Sequence, residues 1–382
     1  MTIRRTTEQD IAAVMAMYDH SRSLMRADGN TVQWTGYPTV DDLMEDIAGG
    51  YSHVVCDDGG VPVGTFALVD GVEPTYGYID HGRWIDTLTP YSTLHRLAKA
   101  PGTSGIADIA FRFAKSHCSH LRIDTHASNR PMRHLAEREG CVECGIVYMG
   151  DGTGRVAYEW WRWDQVPADL KDYIETQIIP HYRNFDSAHN VSHARRVIAR
   201  AMVQAESGTE QPEKMLPTTH YPLPALVFTA AAMHDLGLAF GRERHHLDSG
   251  RIIRSNAELR RWFSPEQIEE IAQAAEDHRA SATTPPRSML GCIIAEADRD
   301  VEPETIVRRT VEYGLSHYPS LDIEGHWQRT LQHLHEKYAE GGYIKLWLPD
   351  SPNAAPLAEL RSLIRDEARL RAMFNEIIAD RL

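Results

Sequence analysis

The chain has 382 residues, and 54 acidic against 40 basic side chains give a formal net charge of −14. At about 100–200 residues per domain this length predicts two or three domains, and the acidic balance argues against a protein that coats nucleic-acid duplexes, because such binding depends on neutralising phosphates. No stretch approaches the ~18 uninterrupted apolar residues of a membrane span, and no apolar segment follows the polar start, so we expect a cytoplasmic protein without signal peptide or membrane contact.

The first 163 residues alternate strand-like and helix-like segments. Apolar runs at 54–56 and 61–68 flank the turn sequence Asp57-Asp58-Gly59-Gly60, which predicts a β-hairpin. Strand-like alternation recurs at 121–125 and 156–160. Helices are predicted at 8–20, 39–48, 105–117 and 130–139. This half is therefore predicted to be an α/β or α+β domain covering residues 1–163.

The pattern changes to almost wholly helical after a linker at 164–169. Ser264-Pro265-Glu266-Gln267 predicts a helix start with a capping box. A second helix is predicted at 322–340, ended by Gly341-Gly342, and the polar, Pro-rich stretch at 207–222 is predicted to be a loop. Residues 170–382 are therefore predicted to form an all-α domain.

Histidine is frequent, with 20 residues in the chain, and histidine is the commonest metal ligand. His234-Asp235 ends a very apolar run at 225–233, and burying such a pair costs several kcal/mol unless it is paired or metal-bound. Further polar residues flank predicted helices in the same half, at His189, His193, His245, His246, His278 and Asp298. Imidazole with carboxylate suits Fe, Mn, Co, Ni or Zn.

The order and spacing of these residues resemble the HD-domain phosphohydrolases over about 170–300. The resemblance implies a helical bundle that holds one or two divalent metal ions through His193, His234, Asp235 and Asp298. His246 and His278 match two further histidines, which hold a second metal or a phosphate. The implied catalytic residues are Asp235, which could bridge two ions, with His189 and His278 as phosphate-holding or proton-transferring groups. Plain surface or hydrogen-bonding roles remain open for His189 and His245. Candidates for binding phosphate charge are Arg195, Arg196, Arg279 and Arg299.

Residues 91–107 predict a strand, a small-residue loop and a helix, and such a loop offers free backbone N–H groups to a pyrophosphate. Together with the strand at 121–126 and Asn129, this segment resembles GNAT-type N-acetyltransferases over 1–163. The resemblance implies a mixed β-sheet with flanking helices and acetyl-CoA as cofactor. The implied cofactor-binding residues are Leu97 and Lys99 on the strand that pairs with pantetheine, Gly102, Thr103, Ser104, Gly105, Ile106 and Ala107 in the pyrophosphate loop, and Asn129.

The sequence departs from the GNAT pattern at several positions. Gly102 replaces the loop's usual first Arg or Gln, Ala107 replaces a glycine, and Ala136 replaces the tyrosine that often protonates the leaving thiolate. Cofactor binding through the backbone survives such changes, whereas acyl transfer depends on other groups. His95 is the candidate base for an amine, with His126 and a purely structural role as alternatives. Trp34 and Tyr37 are expected either to line an acceptor pocket or to pack in the core.

These observations predict a bifunctional enzyme, an N-acetyltransferase-like domain fused to a metal-dependent phosphohydrolase that acts on a small phosphate ester or nucleotide. Its partners would be a small phosphorylated substrate and a small amine acceptor. One alternative is an HD-fold di-iron oxygenase, and another is an N-terminal domain that only senses acetyl-CoA and regulates the hydrolase. The oligomeric state, the metal and both substrates stay open.

Overall fold

A computed structural model of the chain describes residues 1–186, 188–209, 223–282 and 284–379. The chain divides into two compact units, Met1–Trp163 and Asp164–Leu382. Among the described residues no single helix is both long and apolar enough to cross a membrane, and one bent pair, Pro224–Phe240 with His245–Ser255, meets that description by length and composition alone.

The first unit is built on a seven-stranded mixed sheet in the order β1-β2-β3-β4-β5-β7-β6. Its strands are β1 Thr2–Arg5, β2 Ser52–Cys56, β3 Pro62–Asp70, β4 Ser92–Lys99, β5 His120–Thr125, β6 Val142–Tyr148 and β7 Gly154–Trp161. All neighbours are antiparallel except β4 and β5. Successive residues of a strand face opposite sides, so Val54 packs with the helices of one face and Val55 with those of the other.

Helices cover both faces of this sheet. They are α1 Ile11–Ala27, α2 Val40–Gly49, α3 Ile106–His117 and α4 Arg130–Arg138. The first two contribute Val14, Met17 and Leu43 to the core of one face, and the last two contribute Phe111 and Leu135 to the core of the other. The sheet is thus the middle layer of a three-layer unit.

The strands β4 and β5 separate after a short parallel contact. They pair only at Ser92 with Leu121 and at Thr93 with Arg122. Beyond these pairs β4 contains a bulge at Arg96, whose backbone is left-handed with a φ of 53°. A bulge adds a residue and turns side chains from their regular alternation, which explains why all four residues from Leu94 to Leu97 line one cavity.

Among its described residues the second unit contains helices and no β-strand, in agreement with the predicted fold class. Its helices are α5 Ala168–Tyr173, α6 Val191–Thr209, α7 Pro224–Met233, α8 His245–Ser255, α9 Pro265–Asp277, α10 Met289–Ala297, α11 Pro303–His317, α12 Ile323–Tyr338, α13 Ala354–Arg365 and α14 Glu367–Ala379. Every residue of α7 from Leu226 to Met233 is buried, so this helix is surrounded by its neighbours on all sides.

The structure agrees with most predicted elements and corrects some. The capping box forms at Ser264, whose hydroxyl oxygen accepts from the Gln267 N–H, and the helix expected at 322–340 is α12. The helix expected at 8–20 extends to Ala27, and β6 was not predicted. Of the predicted loop at 207–222, residues 207–209 belong to α6 and the remainder lies outside the described residues.

Candidate functional sites

Four side chains of the helical unit bring their ligand atoms together. His193 lies in the first turn of α6, His234 and Asp235 follow α7, and Asp298 follows α10. Nε2 of His193 lies 3.4 Å from Nε2 of His234, 3.5 Å from Oδ2 of Asp235 and 3.3 Å from Oδ1 of Asp298. Nε2 of His234 lies 3.3 Å and 3.6 Å from the same two carboxylate oxygens. We call these four residues the first ligand set.

The spacing of the first ligand set fits a transition-metal ion. A regular tetrahedron with an edge of about 3.4 Å has its centre about 2.1 Å from each corner, which matches metal–nitrogen and metal–oxygen bonds of about 2.0–2.2 Å. Two imidazoles and two carboxylates form a donor set that suits Fe, Mn, Co, Ni or Zn. The residues present therefore fit the group that the sequence implied.

A second ligand set adjoins the first and shares Asp235. Oδ1 of Asp235 lies 3.3 Å from Nε2 of His278 and 3.5 Å from Nε2 of His245, and these two nitrogens are 3.2 Å apart. The other carboxylate oxygen, Oδ2, faces the first set. One carboxylate is therefore placed to bridge two ions.

Backbone carbonyls fix the orientation of three of these imidazoles. Nδ1 of His234 lies 2.8 Å from the carbonyl of Ala231, Nδ1 of His278 lies 2.5 Å from that of Ala275, and Nδ1 of His245 lies 2.8 Å from that of Arg242. Such a bond places the proton on Nδ1 and leaves the Nε2 lone pair for a metal. All three Nε2 atoms point into the ligand sets.

Three helices end at this cluster. The residues His234, His278 and Asp298 are the C-caps of α7, α9 and α10. A helix C-terminus carries a partial negative charge of roughly half a unit, so all three backbones favour a cation at the centre.

The side chains create the same preference for positive charge. Burial lowers the pKa of His234, but Asp235 and Asp298 outweigh burial and raise that pKa well above its usual range. Burial likewise raises the pKa of Asp235, yet His234, His193 and His278 together hold it well below its usual range. The carboxylates are therefore ionised and available as ligands.

The structure places His245, rather than the predicted His246, in the second ligand set. Neighbouring positions on a helix differ by about 100°, so only one of the two imidazoles can face Asp235. His246 is half-buried, and its Nδ1 has no hydrogen-bond partner among the described residues. Burial, helped by Arg279, lowers the pKa of His246 to about 4. The helical periodicity of the sequence does not distinguish His245 from His246. The residues four positions after them, Ser249 and Gly250, are both buried.

A cavity of about 280 Å³ opens beside the cluster. Ligands from both sets line it, together with His189, Arg242, Arg279 and Tyr343. Nδ1 of His189 lies 2.8 Å from Oδ1 of Asp186, so this predicted catalytic residue lies in the cavity wall and outside both ligand sets. Arg242 and Tyr343 were not predicted, since they lie outside any motif.

The arginines predicted to bind phosphate are distributed differently. Only Arg279 lines the cavity. Arg195 pairs with Glu175 at 2.9 Å, and Arg196 lies 4.0 Å from Asp300. Arg299 is buried and 3.9 Å from Glu296. The sequence therefore identified one cavity-lining arginine among its four candidates and missed Arg242, which also lines the cavity and lies 3.2 Å from Oδ2 of Asp186.

The fully buried carboxylate of Glu296 ties the C-terminal segment to α10. Oε1 accepts from the Leu348 N–H at 3.0 Å and also from the Trp347 N–H, and Oε2 accepts from the Ser351 hydroxyl and from the Asn353 amide. Because Glu296 lies two residues before Asp298, these bonds join the segment that follows Tyr343 to the helix that carries a ligand.

The first unit contains a separate cavity of about 600 Å³. It lies where β4 and β5 separate, and Trp34, Tyr37, Leu97 and Asn129 line it as predicted for an acceptor or cofactor site. Asn129 also caps α4 by accepting from the Met132 N–H at 3.3 Å. These residues share one space between the sheet and the loop at 33–37.

His95 lies in this cavity between two carboxylates. Its Nε2 is 3.3 Å from Oε2 of Glu73, and its Nδ1 is 3.9 Å from Oδ1 of Asp124. The hydrogen bond from His95 lowers the pKa of Glu73 to about 2. The Tyr76 hydroxyl donates to Asp124 at 2.8 Å. His126 instead contacts the Ser128 hydroxyl at 2.7 Å, so His95 is the histidine that faces the cavity.

The predicted pyrophosphate loop forms a tight turn into α3. Gly102 and Gly105 adopt left-handed backbones with φ of 75° and 78°, and the Lys99 ammonium donates to the carbonyl of Thr103 at 2.9 Å. Ser104 is exposed, Ala107 is half-buried, and Ile106 is buried against Gly64. The backbone of the loop thus faces outward at a helix N-terminus, where anions bind.

Comparisons with known proteins address both units. The family model described as HD domain matches residues 190–301. A GNAT-family acetyltransferase from Streptococcus agalactiae is 30% identical, covering 42% of this chain and 95% of its own, with a TM-score of 0.39. The chain joins a GNAT-family unit to an HD domain.

Two further solved structures cover the GNAT unit. A GNAT acetyltransferase from Listeria monocytogenes is 17% identical, covers 42% of this chain and 94% of its own and has a TM-score of 0.34. The ribosomal-protein-alanine N-acetyltransferase from Brucella melitensis is 20% identical and has a TM-score of 0.30. The match covers 42% of this chain and 100% of the Brucella chain. No curated protein matches the chain.

Proposed function

We propose that the HD domain is a metal-dependent phosphohydrolase for a small phosphate ester or a nucleotide, and that the GNAT unit transfers an acetyl group from acetyl-CoA to an amine. The observation that carries the first proposal is a pair of ligand sets sharing Asp235 beside a cavity with two arginines. We further propose that both activities reside in one cytoplasmic protein.

The residues of the HD domain support this chemistry. A divalent metal lowers the pKa of bound water and polarises a phosphoryl oxygen. Its ligands would be the first set, with His245 and His278 holding a second ion. Arg242 and Arg279 supply cationic donors for phosphate oxygens. Asp186 holds Nδ1 of His189, which leaves Nε2 free to exchange a proton with the ester oxygen.

Phosphate release tests the hydrolase. The full chain, purified without chelator, is assayed with p-nitrophenyl phosphate and with nucleoside monophosphates, before and after metal removal. We expect phosphate release to require metal. Asp235→Ala should abolish it, because both ligand sets lose the oxygen that Asp235 supplies, whereas His246→Gln should retain it. Release that persists after complete metal removal would refute the proposal.

The shared carboxylate also favours a second candidate, a di-iron oxygenase, because a bridged pair of histidine-rich sites suits two irons as well as two other ions. Metal analysis, an EPR spectrum and oxygen consumption separate the candidates. A protein that binds only a redox-inactive metal and releases phosphate excludes the oxygenase.

The His95–Glu73 pair supports acetyl transfer in the GNAT unit. Glu73 holds Nε2 of His95, so the imidazole is oriented inside the cavity and can take a proton from an amine. Calorimetry with acetyl-CoA and a thiol-release assay over a panel of amines test this activity. Binding with no turnover on any amine would instead favour an acetyl-CoA sensor that regulates the hydrolase.

A further inference from the structure

A buried arginine, Arg155, lies beside the cavity of the first unit. Arg155, near the start of β7, is only 6% exposed and lines the cavity of about 600 Å³. Among the described residues, its guanidinium donates to the carbonyl of Gly154 at 3.1 Å and forms no ion pair. A buried charge without a partner is costly, so this guanidinium lacks the anion that would normally accompany it.

The two aspartates that line the same cavity are engaged elsewhere. Oδ1 of Asp151 accepts from the Thr153 N–H at 2.9 Å and from its hydroxyl at 2.5 Å, which closes the turn between β6 and β7. Asp124 accepts from Tyr76 and faces His95. Burial lowers the pKa of Arg155, against the weaker opposing effects of Asp124 and Asp151. Neither acid therefore compensates for the burial.

Arg96 provides an internal comparison. It lines the same cavity, and its Nη1 lies 2.9 Å from Oδ2 of Asp46. The protein thus neutralises one cavity arginine with its own carboxylate and leaves Arg155 available. A guanidinium presents paired N–H donors whose geometry matches a carboxylate.

We propose that Arg155 binds a carboxylate of the ligand that occupies this cavity. The carboxylate belongs either to the amine acceptor, which would then be an α-amino acid, or to the acyl group, which would then come from a dicarboxylic acyl-CoA. The proposal rests on the acyl-transfer function of the GNAT unit. The cofactor's phosphates have their own expected place at the 102–107 loop, so they do not account for Arg155.

The experiment uses the full chain and a thiol-release assay with two arms. One arm supplies acetyl-CoA with α-amino acids, each compared with the amine formed by its decarboxylation. The other supplies succinyl-CoA or acetyl-CoA with those same amines. Wild type is compared with Arg155→Met and Arg155→Lys, and Arg138→Met, at an exposed arginine paired with Asp108, is the matched control.

We expect a preference for the carboxylate-bearing reactant in one arm, and that arm identifies the source. Arg155→Met should lower kcat/KM for that reactant by about 10–100-fold, the range for losing a charge-assisted hydrogen bond, chiefly through KM. It should leave the carboxylate-free reactant unchanged. Arg155→Lys should keep part of the preference, and Arg138→Met all of it. Arg155→Met should also retain the wild-type Tm, because it removes an unpaired charge, whereas a structural role predicts a lower Tm.

The proposal is overturned if wild type shows no preference for the carboxylate-bearing reactant in either arm. It is also overturned if that preference survives in Arg155→Met. If no reactant is turned over, the acetyltransferase function itself fails, and calorimetry with N-acetylglycine and with succinate decides about Arg155 separately. Binding that is lost in Arg155→Met supports the carboxylate site. Binding that is equal in both proteins, or absent from both, overturns it.

Discussion

Replacing either histidine of the adjacent pair at the start of α8 tests the geometry of the metal centre most sharply. Nε2 of His245 lies 3.5 Å from Oδ1 of Asp235, whereas His246 belongs to neither ligand set. We therefore expect His245→Gln to lose one of two bound ions and His246→Gln to keep both. The two variants change the same residue type, one position apart, on the same helix.

The size of the effect follows from the number of ligands. His245→Gln reduces the second set from three protein ligands to two, His278 and Asp235, and leaves the four ligands of the first set in place. Removing a partner that only orients a ligand costs about 10–100-fold in metal affinity. Removing a ligand costs at least the upper figure, about 100-fold, or ~2.8 kcal/mol.

Metal analysis of the full chain after dialysis against a defined concentration of free metal measures this difference. We expect a stoichiometry near two for wild type and His246→Gln, near one for His245→Gln, and near zero for Asp235→Ala. Far-UV circular dichroism checks that each variant is folded. Titration with the metal alone then gives the change in affinity at the second site.

The opposite pattern would refute this account of α8. If His246→Gln lost an ion while His245→Gln kept both, the helix would be rotated by about 100° from the orientation described here. If Asp235→Ala lost only one ion, the bridging role of this carboxylate would be wrong, although the two sets could still exist separately.

Three further substitutions test other parts of the structure. Glu296→Gln should destabilise the helical unit by about 1.5–3 kcal/mol, because several donors lose a charged, buried acceptor, and urea unfolding measures this. Arg254→Ala should cost about 1 kcal/mol at pH 7 by removing an exposed bidentate pair with Glu269 and a contact with Glu276. The pKa of Glu269 is lowered to about 2 by this arginine, so the stabilisation is complete above pH 4.5 and the variant should approach wild type as the pH falls toward 2. Gly64→Ala places a Cβ 2.4 Å from Cγ2 of the buried Ile106, so it should cost about 1–3 kcal/mol and weaken acetyl-CoA binding in calorimetry.

A control variant accompanies Gly64→Ala, and a specific outcome would contradict each of the other two predictions. Gly77→Ala, whose Cβ would meet no atom within 4 Å, should leave stability and acetyl-CoA binding unchanged. If the free energies of unfolding of Arg254→Ala and wild type differed by the same amount from pH 7 down to pH 2, the assigned ion pair with Glu269 would be contradicted. Wild-type stability in Glu296→Gln would show that the C-terminal segment is held by apolar packing alone.

The sequence predicted elements where a local signal existed. The capping box at Ser264 forms because its hydroxyl and the Gln267 side chain satisfy two helix N–H groups, which depends on four consecutive residues. The strand β6 escaped prediction because Gly145, with a φ of 150°, breaks its register with β7 and interrupts the alternation of apolar residues. Local patterns do not report such irregular pairing.

The metal centre was largely predictable and its cavity was not. The order and spacing of His193, His234, Asp235 and Asp298 carried the resemblance to HD-domain phosphohydrolases, which implied the set of four that the structure brings together. Arg242 and Tyr343 reach the cavity from segments between helices, and the path of the second depends on a buried carboxylate in a distant helix. Nothing in the neighbouring sequence of either residue signals this approach.

A net charge of −14 disfavours a phosphorylated substrate over the protein as a whole. The charges around the cavity of the helical unit have the opposite effect. Exposed charges are largely screened beyond about 8 Å at physiological ionic strength, so most of the acidic surface has little effect inside the cavity. There, Arg242 and Arg279 line the wall, and the C-termini of three helices and the carboxylates of Asp235 and Asp298 converge on the two ligand sets. A bound metal ion would offset the charge of those carboxylates and leave the two arginines as cationic donors for a phosphate. We therefore expect metal binding to raise the affinity for a phosphorylated substrate as well as to support its hydrolysis.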